Sequence, residues 1–210
     1  MNFQPTFDYF LKIIIIGDTS VGKTNFLFRF IDGKFNQIYQ PTIGIDYKSI
    51  IRVLPKTRKK VKIQFWDTAG QERYKSLNKI YFQRVQGIIL MYDITKRESF
   101  ENLDSWRNLI FDNVDNIPVA LIGNKLDIAD EKRIVEVEEG KSFADENGFL
   151  FYETSALNGK NVSNAIYSLC EKIIGSLERT LSFNINNSET FNDILEEKKI
   201  KEIKVRKPCC

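Results

Sequence analysis

The most restrictive pattern in the sequence is a buried-strand signal that runs directly into a glycine-rich loop. Residues 11–16 read LKIIII, a run typical of a parallel strand covered on both faces, and residues 17–24 read GDTSVGKT. The second segment matches the spacing G-x-x-x-x-G-K-[ST], in which backbone N–H groups and the next helix terminus face phosphate oxygens. The pattern therefore predicts a phosphate-binding loop between a strand and a helix over 25–30.

Further strand and helix signals alternate along the chain. Apolar runs over 87–92, 119–123 and 149–152 are separated by helix-length segments, which predicts a mostly parallel sheet. Residues 46–54 and 61–66 flank a basic turn at 55–60, so a hairpin adds one antiparallel strand. We expect an α/β protein of the P-loop NTPase fold, with a mixed six-stranded sheet flanked by helices.

Two amphipathic stripes mark helices that should cover this sheet. The first stripe consists of Phe100, Leu103, Trp106 and Leu109 or Ile110, and the second of Val162, Ile166, Leu169, Ile173 and Leu177. Cys170 lies on the apolar side of the second helix and is expected to behave as a small buried hydrophobe. Beyond about residue 178 the composition turns polar, so we expect one domain over 1–178 and a flexible tail over 179–208.

The charge distribution narrows the possible functions. The 210 residues include 31 Lys or Arg, 28 Asp or Glu and no His, which excludes Ser-His catalysis and imidazole zinc sites. Residues 179–210 carry seven basic and five acidic residues, which leaves only +1 of the net +3 for the body. We therefore expect no nucleic-acid binding. The longest apolar runs are far below the roughly 18 residues of a membrane span, and no secretory signal is expected, so cytosolic synthesis is predicted.

A second motif indicates which base the nucleotide carries. Residues 124–127 read NKLD and follow the strand at 119–123, at a sheet edge where α/β proteins bind ligands. The Asp127 carboxylate can accept hydrogen bonds from both the ring N–H and the exocyclic amine of guanine, whereas adenine presents an acceptor at that ring position. Four such residues alone fit a charged surface turn. Together with the phosphate loop, they favour a guanine nucleotide.

Five segments carry a family resemblance. Besides the two motifs, residues 42–48 read TIGIDYK, residues 66–74 read WDTAGQERY and residues 153–156 read ETSA. Together they resemble a small GTPase of the Ras superfamily, and the segments at 42–48 and 66–74 resemble the Rab family in particular. The match extends from about residue 10 to residue 177.

The resemblance implies roles for individual residues. The catalytic residue would be Gln71, which orients the attacking water, and Mg²⁺ would be held by Thr24, Thr42 and, through a water, Asp67. Contacts to GTP or GDP would come from Gly17, Asp18, Thr19, Ser20, Val21, Gly22, Lys23, Thr24, Asn25, Tyr39, Pro41, Thr42, Asp67, Gly70, Asn124, Lys125, Asp127, Ser155, Ala156 and Leu157. Of these, Lys125 would lie along the base plane, and the Ser155–Ala156 backbone would meet the guanine carbonyl oxygen. Many family members carry Lys where this chain has Leu157.

The resemblance also implies regulatory partners. No arginine is evident that would reach the γ-phosphate in cis, so a GTPase-activating protein is expected. Release of tightly held GDP implies a guanine nucleotide exchange factor. Switch and effector contacts would come from Ile43, Gly44, Ile45, Tyr47, Trp66, Tyr74 and Tyr81. The chain reads YFQR at 81–84 where Rab proteins usually read YYRG, and the hairpin turn at 55–60 is longer than usual. We expect a monomer. Because these surfaces influence partner choice, the identity of its effectors cannot be inferred from relatives.

The C-terminal residues suggest a lipid anchor. Cys209 and Cys210 end the chain, the fourth residue from the end is not Cys, and the C-a-a-X pattern therefore fails. On a Rab-like body this pair implies two geranylgeranyl groups, an escort protein and a GDP-dissociation inhibitor. The expected location is the cytoplasmic face of a vesicle, organelle or plasma membrane, with cycling through the cytosol. The alternatives are a nucleotide-gated module with negligible hydrolysis, a Ran-like nuclear transport switch and a P-loop ATPase or nucleotide kinase.

Overall fold

The computed structural model describes residues 7–36, 45–68 and 81–182, with the side chains of residues 45, 46 and 68 left out. These residues contain six strands: β1 (Tyr9–Ile16), β2 (Ile45–Val53), β3 (Lys60–Thr68), β4 (Gly87–Asp93), β5 (Val119–Asn124) and β6 (Leu150–Thr154). They form one sheet in the order β2-β3-β1-β4-β5-β6. Only the β2–β3 pair is antiparallel, so the predicted mixed sheet is confirmed.

The central strands are buried on both faces, as their uninterrupted apolar sequences require. Every residue of β4 and of β5 is buried, and the last four residues of β1 are buried as well. In the register of these strands, Ile14 lies opposite Ile88, and Leu90 lies opposite Leu121. Parallel strands with this pattern need helices on both sides of the sheet.

The described helices are α1 (Lys23–Asp32), α2 (Arg97–Glu101), α3 (Leu103–Asn113), α4 (Ala129–Lys132), α5 (Val137–Asn147) and α6 (162–182). A single 3₁₀ turn, Leu126–Ile128, joins β5 to α4. None of the described helices combines the length and the apolar character needed to span a membrane. The chain divides into a unit of residues 1–173 and a second unit of residues 174–210.

The helices differ from the sequence prediction at two points. The first amphipathic stripe spans two helices, because the helix is interrupted at Asn102, between α2 and α3. The last helix continues to residue 182, four residues into the segment for which the sequence predicts a linker. Cys170 on this helix is fully buried, as predicted, and burial raises the pKa of its thiol to about 12.

The core around β4 contains a tyrosine with an unusual environment. Tyr92 is fully buried and packs edge-on against Phe100, with ring centroids 5.2 Å apart. A Cβ atom at Gly123 would lie 2.7 Å from its hydroxyl oxygen, and one at Gly140 would overlap that oxygen. The hydroxyl has no hydrogen-bond partner within the described part of the chain, and burial raises the pKa of Tyr92. Both glycines are therefore required by the volume of this side chain.

Candidate nucleotide-binding site

The loop after β1 has the backbone geometry that its glycines predict. Gly17 has φ 135° and Gly22 has φ 100°, both in the region that favours glycine. A Cβ atom at Gly17 would overlap the carbonyl oxygen of Met91 in β4, and one at Gly22 would overlap the side-chain amide of Asn124 in β5. The loop is thus held close against the ends of two neighbouring strands.

Lys23, the first residue of α1, bends back over this loop. Its Nζ donates to the carbonyl oxygens of Gly17 at 2.6 Å and Asp18 at 2.9 Å, and the side chain is only 5% exposed. Both acceptors lie in the loop itself. The ammonium is therefore fixed at the position where a positive charge would face phosphate oxygens.

A hydroxyl and a carboxylate meet beside the loop. The Thr24 hydroxyl donates to Asp67 Oδ2 at 2.7 Å, and Asp67 is buried near the end of β3. Mg²⁺ prefers oxygen ligands of these two types and is usually held by one or two protein groups together with phosphates. The two described members of the predicted magnesium set therefore fit the ion.

Asn124 joins the phosphate loop to the loop after β6. Its side-chain Nδ2 donates to the carbonyl oxygen of Val21 at 2.8 Å. Its Oδ1 accepts from the Thr154 hydroxyl and from the Ala156 backbone N–H, both at 3.2 Å. Asn124 is 2% exposed, so the sequence-predicted base motif also connects the two halves of the site.

The predicted base-reading carboxylate is exposed and oriented from one side. Asp127 Oδ1 accepts from the Ser155 hydroxyl at 2.5 Å, and Ser155 itself is fully buried. The other carboxylate oxygen of Asp127, Oδ2, has no hydrogen-bond partner among the residues described.

The lysine of the same motif is held by a different carboxylate. Lys125 has φ 75°, and its Nζ pairs with the buried Asp93 carboxylate at 2.5 Å. A buried aspartate that the sequence analysis did not select therefore holds the lysine of the motif.

Asp18 is fixed by two residues from outside the sequence motifs. Its Oδ2 accepts from Asn102 Nδ2 at 2.7 Å, and its Oδ1 accepts from Trp106 Nε1 at 2.8 Å. Trp106 was predicted from periodicity alone as part of an apolar stripe, and it is indeed buried. Its ring nitrogen nevertheless makes it a polar anchor for the loop, which no periodicity could reveal.

The sequence pattern that defines the Ras family matches residues 12–175 of this chain. The chain belongs to the Ras family. This GTPase is 45% identical over 180 residues to the human Ras-related protein Rab-3A, covering 83% of this chain and 80% of the relative. It is 43% identical over 176 residues to the GTP-binding protein yptV2 of Volvox carteri, covering 83% of this chain and 80% of the relative. Human Rab-3D is 43% identical over 188 residues, covering 87% of this chain and 84% of the relative. The predicted Rab-type resemblance is confirmed.

Of the three predicted effector aromatics that the structure describes, Tyr47, Trp66 and Tyr81, the first two lie together. The rings of Tyr47 and Trp66 have centroids 6.2 Å apart on the paired strands β2 and β3, and Tyr47 is 64% exposed. Tyr81 is half-buried and makes no ring contact with either one within the described residues. Lys12 Nζ lies 4.4 Å from the Trp66 ring centroid, and partial burial lowers the pKa of this lysine.

The two departures from the Rab pattern have structural consequences. Arg84 stands where Rab proteins usually carry glycine, and it has φ 57°. The longer hairpin turn is fastened to α6, because the backbone N–H groups of Lys56 and Thr57 both donate to Glu171 Oε1 at 3.1 Å. The first departure places an L-residue in the left-handed region, and the second gives the turn its own anchor.

Arg29, which was not predicted from the sequence, reaches the loop after β6 (residues 155–157, called the base loop below). Arg29 of α1 donates to backbone carbonyls of Ala156 and Leu157. Its one sequence signal is a lone cation inside the apolar stretch 26–30. Leu157, which stands where many family members carry Lys, is 44% exposed.

Several predicted residues lie outside the described part of the chain, and their roles stay predictions. They are Tyr39, Pro41, Thr42, Ile43, Gly44, Gly70, Gln71, Tyr74, Cys209 and Cys210. Ile45 begins β2, and only its backbone is described.

Proposed function

We propose that this Rab-type GTPase is a two-state switch in vesicle trafficking, which binds GTP, recruits effectors and hydrolyses GTP to GDP. The observation that supports its site best is the position of Asn124. One buried side chain bonds both the phosphate loop at Val21 and the base loop at Ala156. Phosphate and base recognition are thereby part of one hydrogen-bonded unit.

The phosphates would bind in the loop over 17–24. Backbone N–H groups and the start of α1 attract anionic oxygens, and the Lys23 ammonium supplies a full charge from its buried position. Mg²⁺, when bound, neutralises charge on the phosphate oxygens, and Thr24 and Asp67 are the described residues that would hold it. Thr42 would complete that set.

The base would be read by Asp127. Its Oδ1 is held by Ser155, which leaves the second oxygen for the guanine donors. Both carboxylate oxygens are acceptors, so adenine would leave an acceptor facing an acceptor. The Ala156 N–H already donates to Asn124 at 3.2 Å, a long distance, and a guanine carbonyl oxygen would share that N–H.

Hydrolysis would depend on the two switch segments. Gln71 would orient the attacking water with an amide that both donates and accepts, and Thr42 and Gly70 would contact the γ-phosphate. Loss of the γ-phosphate would release both segments, which is the change effectors detect. Without an arginine in cis the intrinsic rate is slow, so a GTPase-activating protein completes the site and an exchange factor releases GDP.

Membrane attachment would come from the tail. Two geranylgeranyl groups on Cys209 and Cys210 give stable anchoring, whereas one chain gives marginal binding. Residues 198–207 carry six basic residues and one acidic residue, which favours an anionic leaflet by roughly 1 kcal/mol per charge. An escort protein and a GDP-dissociation inhibitor would carry the chain through the cytosol.

Single-turnover hydrolysis tests the switch. Full-length protein loaded with GTP should release phosphate slowly, and Gln71→Leu should lower the rate by at least about tenfold with GTP affinity unchanged. Equal rates in both proteins would contradict the role of Gln71. Absent hydrolysis in the wild type, even with an activating protein, would favour the non-hydrolysing module.

Imaging tests the anchor. The tagged protein should lie on membranes, and the double variant Cys209→Ser, Cys210→Ser should be cytosolic. Unchanged membrane localisation of the variant would overturn the lipid-anchor proposal.

A further inference from the structure

We propose that Arg29 is a positioning residue for guanine recognition, a role that rests on the proposed function of the base loop. Arg29 lies on α1, the same helix that begins with Lys23 and Thr24. Its guanidinium reaches the loop that follows β6, more than 120 positions later in the sequence. One helix would therefore carry the phosphate ligands and also fix the loop that meets the base.

The guanidinium serves three backbone carbonyls at once. Nε donates to Ala156 O at 2.8 Å, Nη2 donates to Leu157 O, and Nη1 donates to Gly33 O at 2.7 Å. The first two acceptors belong to consecutive residues of the base loop, and the third belongs to Gly33, the C-cap residue directly after α1. The Arg29 guanidinium is thus hydrogen-bonded both to the end of its own helix and to the base loop.

Arginine is the side chain suited to this arrangement. A planar guanidinium offers five donors in a fixed geometry, whereas the ammonium of lysine is a compact point charge. Arg29 makes no ion pair within the described residues, so its donors face carbonyl oxygens. Gly159 lies beside the stem, since a Cβ atom there would make ordinary van der Waals contact with Arg29 Cδ at 3.4 Å.

Arg29 bonds to Ala156, the residue whose backbone N–H would meet the guanine oxygen. Ala156 is 4% exposed, its carbonyl accepts from Arg29, and its N–H points to Asn124 Oδ1. Held from both ends, the backbone at Ala156 has a fixed orientation. Without Arg29 the Ala156 carbonyl would lose this donor, and the loop would depend on Asn124, Ser155 and its own backbone bonds, such as Gly159 N–H to Ser155 O at 2.8 Å. The Ala156 N–H would then be held less firmly in the position from which it could be shared with the guanine oxygen.

Three nucleotides distinguish this role from general stabilisation. GDP and inosine diphosphate both carry the carbonyl oxygen at position 6, whereas 6-thioguanosine diphosphate replaces it with sulfur, a weak acceptor. All three retain the ring N–H that Asp127 would read and the same phosphates. If Arg29 positions the loop for the carbonyl oxygen at position 6, its removal should weaken the binding of only those nucleotides that carry this oxygen.

The experiment measures dissociation constants of the three nucleotides for the full-length wild type, Arg29→Ala and Arg29→Lys. Arg29→Ala should weaken GDP and inosine diphosphate by about tenfold and the thio analogue by less than about threefold. Arg29→Lys keeps the charge but replaces the planar fork, which bonds two loop carbonyls together with Gly33 O, by a compact ammonium, so it should show the same pattern with a smaller GDP loss. Arg52→Ala is the matched control, because Arg52 Nη2 contacts Ile31 O on the same helix at 3.4 Å and is bonded to no base-loop residue. It should leave all three affinities within about twofold.

The outcomes separate this proposal from the function on which it rests. Equal losses for all three nucleotides, or no loss for GDP, would overturn the positioning role while tight wild-type GDP binding keeps the switch proposal intact. Failure of the wild type to bind GDP would overturn both. If Arg29→Ala does not fold, the ratio of the GDP loss to the thio-analogue loss in Arg29→Lys decides, and a ratio of one overturns the proposal.

Discussion

Replacing Arg84 by glycine should stabilise this GTPase. Arg84 is exposed and lies in the turn between the buried residues Phe82 and Val85. The Val85 N–H donates to Phe82 O at 3.3 Å, and the Gln86 N–H donates to Lys12 O at 3.0 Å. These contacts on either side fix φ of Arg84 at 57°, a conformation that glycine adopts without steric cost.

The size of the effect follows from two opposing terms. The left-handed conformation costs an L-residue roughly 1–2 kcal/mol, and glycine loses about 0.5–1 kcal/mol through the greater freedom of the unfolded chain. The difference predicts that Arg84→Gly raises the free energy of unfolding by about 0.5–1 kcal/mol. For a domain of this size, that corresponds to a rise of about 1–4 °C in Tm.

Thermal and urea denaturation of the GDP-loaded protein would measure the change, with free GDP held constant because bound ligand adds to stability. Two controls separate the backbone term from the side chain. Arg84→Ala removes the side chain but keeps the strain, so it should not stabilise. Lys141→Gly, at an exposed position inside α5, should destabilise by about 1 kcal/mol. Destabilisation by Arg84→Gly, or equal gains from glycine and alanine, would refute the strain argument.

Three further variants test other contacts. Asn124→Ala should lower the free energy of unfolding by about 2–3 kcal/mol in denaturant titration, because three buried polar partners lose their bonds, and a loss below 1 kcal/mol would contradict this. Tyr92→Phe should leave stability unchanged or raised in the same titration, since its hydroxyl has no partner among the described residues; clear destabilisation would reveal one. Arg97 and a backbone N–H lower the pKa of Glu139 to about 2, so its stabilisation is present above the usual pKa near 4.5 and is lost as pH falls toward 2. Glu139→Gln should flatten the decline in Tm over that range, and an unchanged decline would exclude the pair as a cause.

The central strands and the main motifs were predictable from the sequence because they depend on local patterns. The aliphatic runs at 11–16, 87–92 and 119–123 each became a buried parallel strand. The glycine spacing at 17–22 demanded positive φ angles, and the structure has them at both glycines. Each of these features follows from a segment of five or six neighbouring residues.

The supporting contacts were not predictable, because they join distant parts of the chain. Trp106 and Asn102 reach Asp18 across more than 80 positions, and Arg29 reaches Ala156 across 127. Each of these side chains has a local pattern that fits an ordinary helix. The break between α2 and α3 at Asn102 likewise leaves the apolar periodicity intact, so periodicity gave no sign of it.

Selection of guanine by Asp127 can be measured as the ratio of the GDP and ADP dissociation constants for the full-length wild-type protein. A site whose carboxylate must be paired by the base should reject the wrong base strongly, so GDP should bind at least about 10³-fold more tightly than ADP. Comparable affinities for the two nucleotides would show that Asp127 does not read the base and would contradict the assignment of this site.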